Sequence, residues 1–282
     1  MNPDSWPAPA KLNLFLHILG RRPDGYHQLQ TVFQLLEFGD ELTIRADDKD
    51  RINLEQDYDG IDLENDLVLR AATLLKAKTE TRKGAVISVN KRIPIGGGLG
   101  GGSSDAATTL VVLNRLWNTG LSLYQLSDLG LQLGADVPVF IQGHSSWAEG
   151  VGERLQPVEL PDNWFLVIYP DCPVNTATVF NQPELTRNST PITIRDFLGG
   201  AGHNDCEKVV FDHYPEVAAA AKWLDGWTKA RLTGTGSCIF GRFGSEQEAS
   251  TVLAQLPHAW QGFVSRGCNM SPLHQKLARS AG

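Results

Sequence analysis

The stretch "RIPIGGGLGGGSSDAA", residues 92–107, places six glycines in the seven positions 96–102. Glycine loses more conformational freedom on folding than any other residue, so such a run costs stability unless the backbone itself is needed there. The residues on either side are regular. "AVISVNKRI" (85–93) alternates as a strand that feeds directly into the glycines. After them Ala106, Leu110, Leu113 and Trp117 recur at three- and four-residue steps, which predicts an amphipathic helix over 103–118.

A strand, a glycine loop and a helix N-terminus together make a phosphate site. The first N–H groups of a helix lack internal partners, the helix dipole favours an anion, and glycines let the backbone wrap it. Ser103 and Ser104 add hydroxyls, one of them a candidate helix cap. Three kinds of phosphate loop compete. A Walker A loop requires a lysine after its last glycine, and none follows here. Gly96, Gly98 and Gly101 satisfy G-x-G-x-x-G, but a run this rich does so almost by accident. A dinucleotide site also needs an acid about twenty residues on, where position 118 is Asn. A flexible linker is disfavoured by the regular elements on both sides.

Working outward, residues 11–19 alternate. Leu12, Leu14, Leu16 and Ile18 face one way; Lys11, Asn13, Phe15 and His17 face the other. "GRRPDGYH" (20–27) is a turn cluster. "QLQTVFQLLEF" (28–38) and "DELTIRA" (40–46) read as two further strands, and 66–78 and 122–134 as helices. "VPVFIQG" (137–143) is read as a strand. Prolines cluster near 155–164, which sets an expected division into domains 1–160 and 161–282. Beyond it, 204–227 reads as helical, 230–243 as strand–loop–strand, 245–256 as a helix and 261–267 as a last strand. The expected class is α+β.

Composition narrows the function. A formal net charge of −7 argues against a nucleic-acid or anionic-membrane partner, so an anionic ligand must be held by local features. No run approaches the ~18–20 apolar residues of a membrane span, and no signal peptide opens the chain. The four cysteines, about thirty residues apart, suit neither zinc nor a disulfide framework. The expected setting is cytoplasmic.

On pattern alone, Lys11 reads as a solvent-facing lysine on an edge strand, Asp136 as a residue closing a turn, and Tyr26 as a cover for the strands beneath it. "LTGTGSCIF" (232–240) reads as a tight turn, with Cys238 a buried small residue.

"PIGGGLGGGSSDAA" resembles the P-x-x-x-G-L-x-S-S-A-A loop of the GHMP kinases. "PAPAKLNLFL" (7–16), "GRRPDGYH" (20–27), "LGADVPVF" (133–140) and "LTGTGSCIF" (232–240) resemble, in order, the motifs of one branch of that family. Its acceptor alcohol carries a cytidine diphosphate moiety. The likeness runs from about residue 7 to 274. It implies a two-domain fold, a mixed sheet with helices followed by a ferredoxin-like α/β sandwich, with the active site in the cleft between them. It implies ATP as co-substrate held by Pro94, Ile95, Gly96, Gly97, Gly98, Leu99, Gly100, Gly101, Gly102, Ser103 and Ser104. Lys11 and Asp136 become the catalytic pair: Asp136 the base, Lys11 its electrostatic partner. Asn13, Tyr26, His27, Thr176, Phe180, Gly234 and Gly236 become substrate contacts, with Tyr26 and Phe180 sandwiching the cytosine and His27 bonding its polar edge. Mg²⁺ is expected with ATP, Ser104 being a candidate contact, but the sequence shows no carboxylate cage for it. A monomer or weak homodimer is expected. The alternatives are a GHMP kinase for homoserine or a mevalonate derivative, or a non-catalytic nucleotide-binding protein.

Overall fold

A computed structural model describes residues 4–55 and 63–280. The chain opens with a long antiparallel pair, β1 (Ser5–Arg21) and β2 (His27–Asp47), joined by the turn at Asp24–Gly25. The pair covers both expected strands of the 28–46 region as one. Gly39, where a break was expected, stays paired with Pro9, and a Cβ on it would stand 2.2 Å from the Ala8 carbonyl oxygen. The short β3 (Ile52–Leu54) and helix α1 (Leu67–Thr79, capped by the Asp66 carboxylate) lead to β4 (Gly84–Asn90). The glycine loop follows, then α2 (Gly101–Leu116), α3 (Leu123–Leu131) and α4 (Val137–Gln142). A hairpin, β5 (Ser146–Gly150) and β6 (Arg154–Pro157), closes the first half.

Helix α2 departs from the amphipathic expectation. Residues 104–113 are all buried, because the helix is enclosed by α1, α4, β1 and β2. Segment 137–143 is a helix where a strand was expected. Pro138 sits in its first turn, where the missing N–H and fixed φ favour a helix, and Gly143 ends it in the left-handed region. Those two residues outweigh the β-branched valines.

The second half begins with β7 (Trp164–Tyr169), followed by the short helices α5 (Thr176–Asn181) and α6 (Ile194–Leu198). The expected helix over 204–227 is split by Tyr214–Pro215 into α7 (Glu207–His213) and α8 (Pro215–Asp225). Then come β8 (Arg231–Leu232), β9 (Ile239–Phe243), α9 (Glu246–Leu253), β10 (Gln261–Cys268) and α10 (Pro272–Arg279). The strand order β10-β7-β9-β8, all antiparallel, is the ferredoxin-like arrangement. The first-half sheet is mixed, since β3 and β4 run parallel and the other pairs antiparallel.

Three features join the halves. Gly267 and Cys268 of β10 pair with Leu36 and Leu35 of β2, making one continuous sheet path. Helix α10 then returns to the first half, where Leu273 enters its core. A third apolar cluster draws Leu12, Val32, Ile93 and Leu99 from one half and Phe165, Phe240 and Cys238 from the other. Both the continuous sheet path and this shared core run across the expected division at about residue 160.

Candidate active site

The register of β1 against β2 slips between Pro9 and Lys11 and again between Asn13 and Leu16. Such bulges re-aim side chains, and these two bracket Lys11 and Asn13. Lys11 is only 3% exposed, so it is no edge lysine. Its Nζ donates to Asn13 Oδ1 (2.5 Å) and to the Gly98 carbonyl (2.9 Å), lies 3.2 Å from Asp136 Oδ2, and sits 5.5 Å above the Phe33 ring. A buried ammonium costs several kcal/mol unless it is paired and hydrogen-bonded; these contacts meet that need. Asp136 occupies the N-cap position of α4 without capping it, which leaves its half-exposed carboxylate free to face Lys11.

The two glycine loops pack on each other. Cys238 N donates to the Gly97 carbonyl and Thr233 Oγ1 to the Gly98 carbonyl, while Thr233 Oγ1 accepts from Asn13 N. Gly96, Gly98 and Gly100 have φ of +73°, +76° and +75°, so alternate positions exclude ordinary side chains on backbone grounds. A Cβ at Gly97 would stand 2.6 Å from Cys238 Sγ, at Gly98 2.3 Å from the Thr233 carbonyl, and at Gly100 2.9 Å from the Phe140 ring. Much of the glycine run thus admits the protein's own second loop and core. Gly96 and Gly102, both exposed and with no protein atom nearer to a Cβ than 3.4 Å, are the parts left open toward a ligand, Gly102 on the first turn of α2. The N-cap of α2 is Gly100 with no side-chain cap, so neither serine caps the helix.

These residues line one cleft of about 790 Å³. It takes in Lys11, Asn13, Asp136, all of 94–103, Tyr26, His27, Thr176, Phe180 and Gly234. Two expected site residues fall outside the lining. Ser104 is fully buried, its hydroxyl without a partner, because it lies one residue too far round α2. Gly236 faces Leu232 and Val210 beneath the loop. Of the expected aromatic set, two rings are in direct contact. His27, not Tyr26, stacks on Phe180, at 4.9 Å between centroids and 21° between planes; Tyr26 is 64% exposed at the turn tip.

The structure adds residues that the sequence did not single out. Thr233 and Thr235 tie the second loop to Asn13 and to Thr176. Arg187 reaches His27 from the loop after α5. Lys91 bridges Asp40 Oδ2 (2.5 Å) and Asp105 Oδ2 (2.7 Å) at the cleft wall. Burial, with Asp40 beside it, pushes the Asp105 carboxyl up to about 7 despite the lysine, and the two carboxylates raise Lys91 against its own desolvation. The threonines lay inside a noticed motif. Arg187 and Lys91 carried no local signal.

A backbone cradle at a helix start suits a nucleotide's phosphates. Among the described residues there is no group of three or more His, Cys, Asp or Glu that could hold a metal ion. No helix among them is long and apolar enough to cross a membrane.

Residues 66–144 match the family model of the GHMP kinase N-terminal domain, and 184–262 that of its C-terminal domain. Fold and cleft are thus those of an ATP-dependent small-molecule kinase. The 4-diphosphocytidyl-2-C-methyl-D-erythritol kinase of Nitrosococcus oceani is 56% identical over 275 residues, covering 98% of each chain. Its namesake from Halorhodospira halophila is 53% identical, covering 98% of this chain and 97% of its own. A crystal structure of 4-(cytidine 5'-diphospho)-2C-methyl-D-erythritol kinase superimposes with a TM-score of 0.81 at 31% identity, over 93% of this chain and 98% of that one. The mevalonate kinase of Methanococcus jannaschii, at 18% identity and a TM-score of 0.67, shares the fold. The chain belongs to the GHMP kinase family, in the branch of the 4-diphosphocytidyl-2-C-methyl-D-erythritol kinases.

Proposed function

We propose that this kinase transfers the γ-phosphate of ATP to the 2-hydroxyl of 4-diphosphocytidyl-2-C-methyl-D-erythritol, giving the 2-phosphate and ADP. The reaction would serve isoprenoid precursor synthesis by the non-mevalonate route, in the cytoplasm. The observation that carries the reading is the pairing of buried Lys11 with half-exposed Asp136, set in one cleft between a glycine loop at a helix start and a stacked His27–Phe180 wall.

Phosphoryl transfer has a loose transition state, so the protein's part is positioning and charge stabilisation. Amides of 96–103 and the start of α2 would hold the phosphates. Asp136 Oδ2 would orient the attacking hydroxyl and accept its proton late in the step. Lys11, held by Asn13 and Gly98, would offset negative charge as it develops. Asn13, Thr176 and Gly234 would line the acceptor's path, with the base against the aromatic wall. ATP would bring Mg²⁺ coordinated by its own phosphates and water, and no step is assigned to the metal.

ADP release from Mg-ATP decides the matter, measured with the diphosphocytidyl alcohol, its uridine analogue, homoserine and mevalonate, for wild type and Asp136→Ala. Turnover confined to the cytidine compound and lost in the variant supports the proposal. Turnover of another alcohol would discard the cytidine acceptor. ATP binding without turnover of any acceptor would discard catalysis.

A further inference from the structure

Arg187 does not line the cleft, yet its guanidinium makes four hydrogen bonds around the aromatic wall. Nη2 donates to the carbonyls of Phe180 (2.8 Å) and Gln182 (2.7 Å), Nη1 to that of Leu185 (3.1 Å), and Nε to His27 Nε2 (3.2 Å). One side chain thus fixes the backbone that carries Phe180 and, across the cleft, the ring stacked on it.

The chemistry of that last contact is one-directional. A guanidinium has only donors and keeps its proton at all accessible pH. His27 Nε2 must therefore accept, which requires a neutral ring with its proton on Nδ1. Among the described residues Nδ1 has no partner, and His27 lines the cleft. Burial, then the charges of Arg187 and Arg21, lower the His27 pKa, which keeps the ring neutral.

We propose that Arg187 is a positioning residue that locks His27 as its Nδ1–H tautomer, so that the stacked ring presents one N–H donor to the acceptor edge of the substrate's base. The inference rests on the cytidine reading above. Cytosine shows two adjacent acceptors, O2 and N3, whereas uracil carries N–H at position 3. A donor locked opposite position 3 meets an acceptor in the first and a competing donor in the second, whereas O2 accepts in both. A ring free to exchange tautomers could serve either. Discrimination built on an unpairable polar group is stronger than any stacking contact can supply.

The test has two arms. In the free protein labelled with ¹⁵N-histidine, long-range ¹H–¹⁵N correlation above pH 7.5 (roughly a unit above the usual histidine pKa) reports the tautomer directly. The His27 signals are assigned by their loss in His27→Gln. A single Nδ1–H form is expected in wild type, and a mixture with Nε2–H in Arg187→Met. A wild-type ring found mainly as Nε2–H overturns the proposal, whether or not the variant folds. In the kinetic arm, Arg187→Met should lose about tenfold in the cytidine-over-uridine ratio of kcat/KM, chiefly through KM, with Arg187→Lys recovering only part of it. An unchanged ratio in a folded Arg187→Met protein also overturns it. Because the tautomer is read without substrate, an Nδ1–H ring in a protein that turns over no cytidine compound would sink the substrate reading and the base selection with it, while the Arg187–His27 contact stands.

Discussion

Alanine at Gly98 and at Gly102 should act in opposite directions on stability. At Gly98, φ is +76° and a Cβ would lie 2.3 Å from the Thr233 carbonyl oxygen and 3.0 Å from that of Gly236. Left-handed backbone costs a non-glycine residue roughly 1–2 kcal/mol, and forcing two backbones apart adds about 1–3 kcal/mol. The expected loss is therefore about 2–5 kcal/mol. Turnover should fall as well, because the Gly98 carbonyl accepts from both Lys11 Nζ and Thr233 Oγ1. At Gly102 the backbone is already helical, the nearest atom to a Cβ is Leu67 Cδ1 at 3.4 Å, and the position is exposed. Alanine there should gain about 0.5 kcal/mol from helix propensity. It should also raise the KM for ATP several-fold, since the methyl would stand before the first free amides of α2. Urea denaturation of the ligand-free protein, together with ATP saturation kinetics, reads both quantities. A neutral Gly98→Ala with a destabilised Gly102→Ala would refute the division of the loop into glycines that face the protein and glycines left open toward the ligand.

Asp136→Asn should lower kcat by about 10²–10⁴ and also cost about 1–3 kcal/mol of stability, because it leaves the buried Lys11 ammonium with hydrogen bonds but no counter-charge; steady-state kinetics and a urea melt check the pair. Thr233→Val removes the acceptor for Asn13 N and the donor to the Gly98 carbonyl, so a loss of about 1–3 kcal/mol is expected in denaturant, alongside reduced turnover. Asp105, raised to about 7 in the fold, holds a proton there that the unfolded chain releases near 3.8. Its contribution to stability is full below about 4 and is lost as pH rises to about 7. Asp105→Asn should therefore gain on wild type as pH rises across that window. Parallel stability curves for the two proteins between pH 4 and 8 would contradict this.

The fold class and the family were legible because their signals are local in the chain. A strand, a glycine run and a helix start lie in one continuous stretch, and so do the motifs around Lys11, Asp136 and 232–240. Single residues misled where two local preferences competed. Segment 137–143 looked like a strand by its valines, but Pro138 and Gly143 set its ends as a helix. Gly39 looked like a break and is instead a position where β2 lies too close to β1 for a side chain.

What the sequence by itself determined is therefore the glycine loop at a helix start, the α+β architecture and the residue types brought to the cleft, since backbone freedom, periodicity and motif order are properties of neighbours in the chain. Only the tertiary structure decided that Lys11 is buried rather than solvent-facing, that Ser104 and Gly236 turn away from the cleft, and that His27 rather than Tyr26 stacks on Phe180. It alone brought Arg187 onto a ring 160 residues earlier and seated Gly98 against Thr233, 135 residues away. Those contacts depend on how β10 and the shared apolar cluster dock the two halves, and no stretch of neighbouring residues encodes that docking.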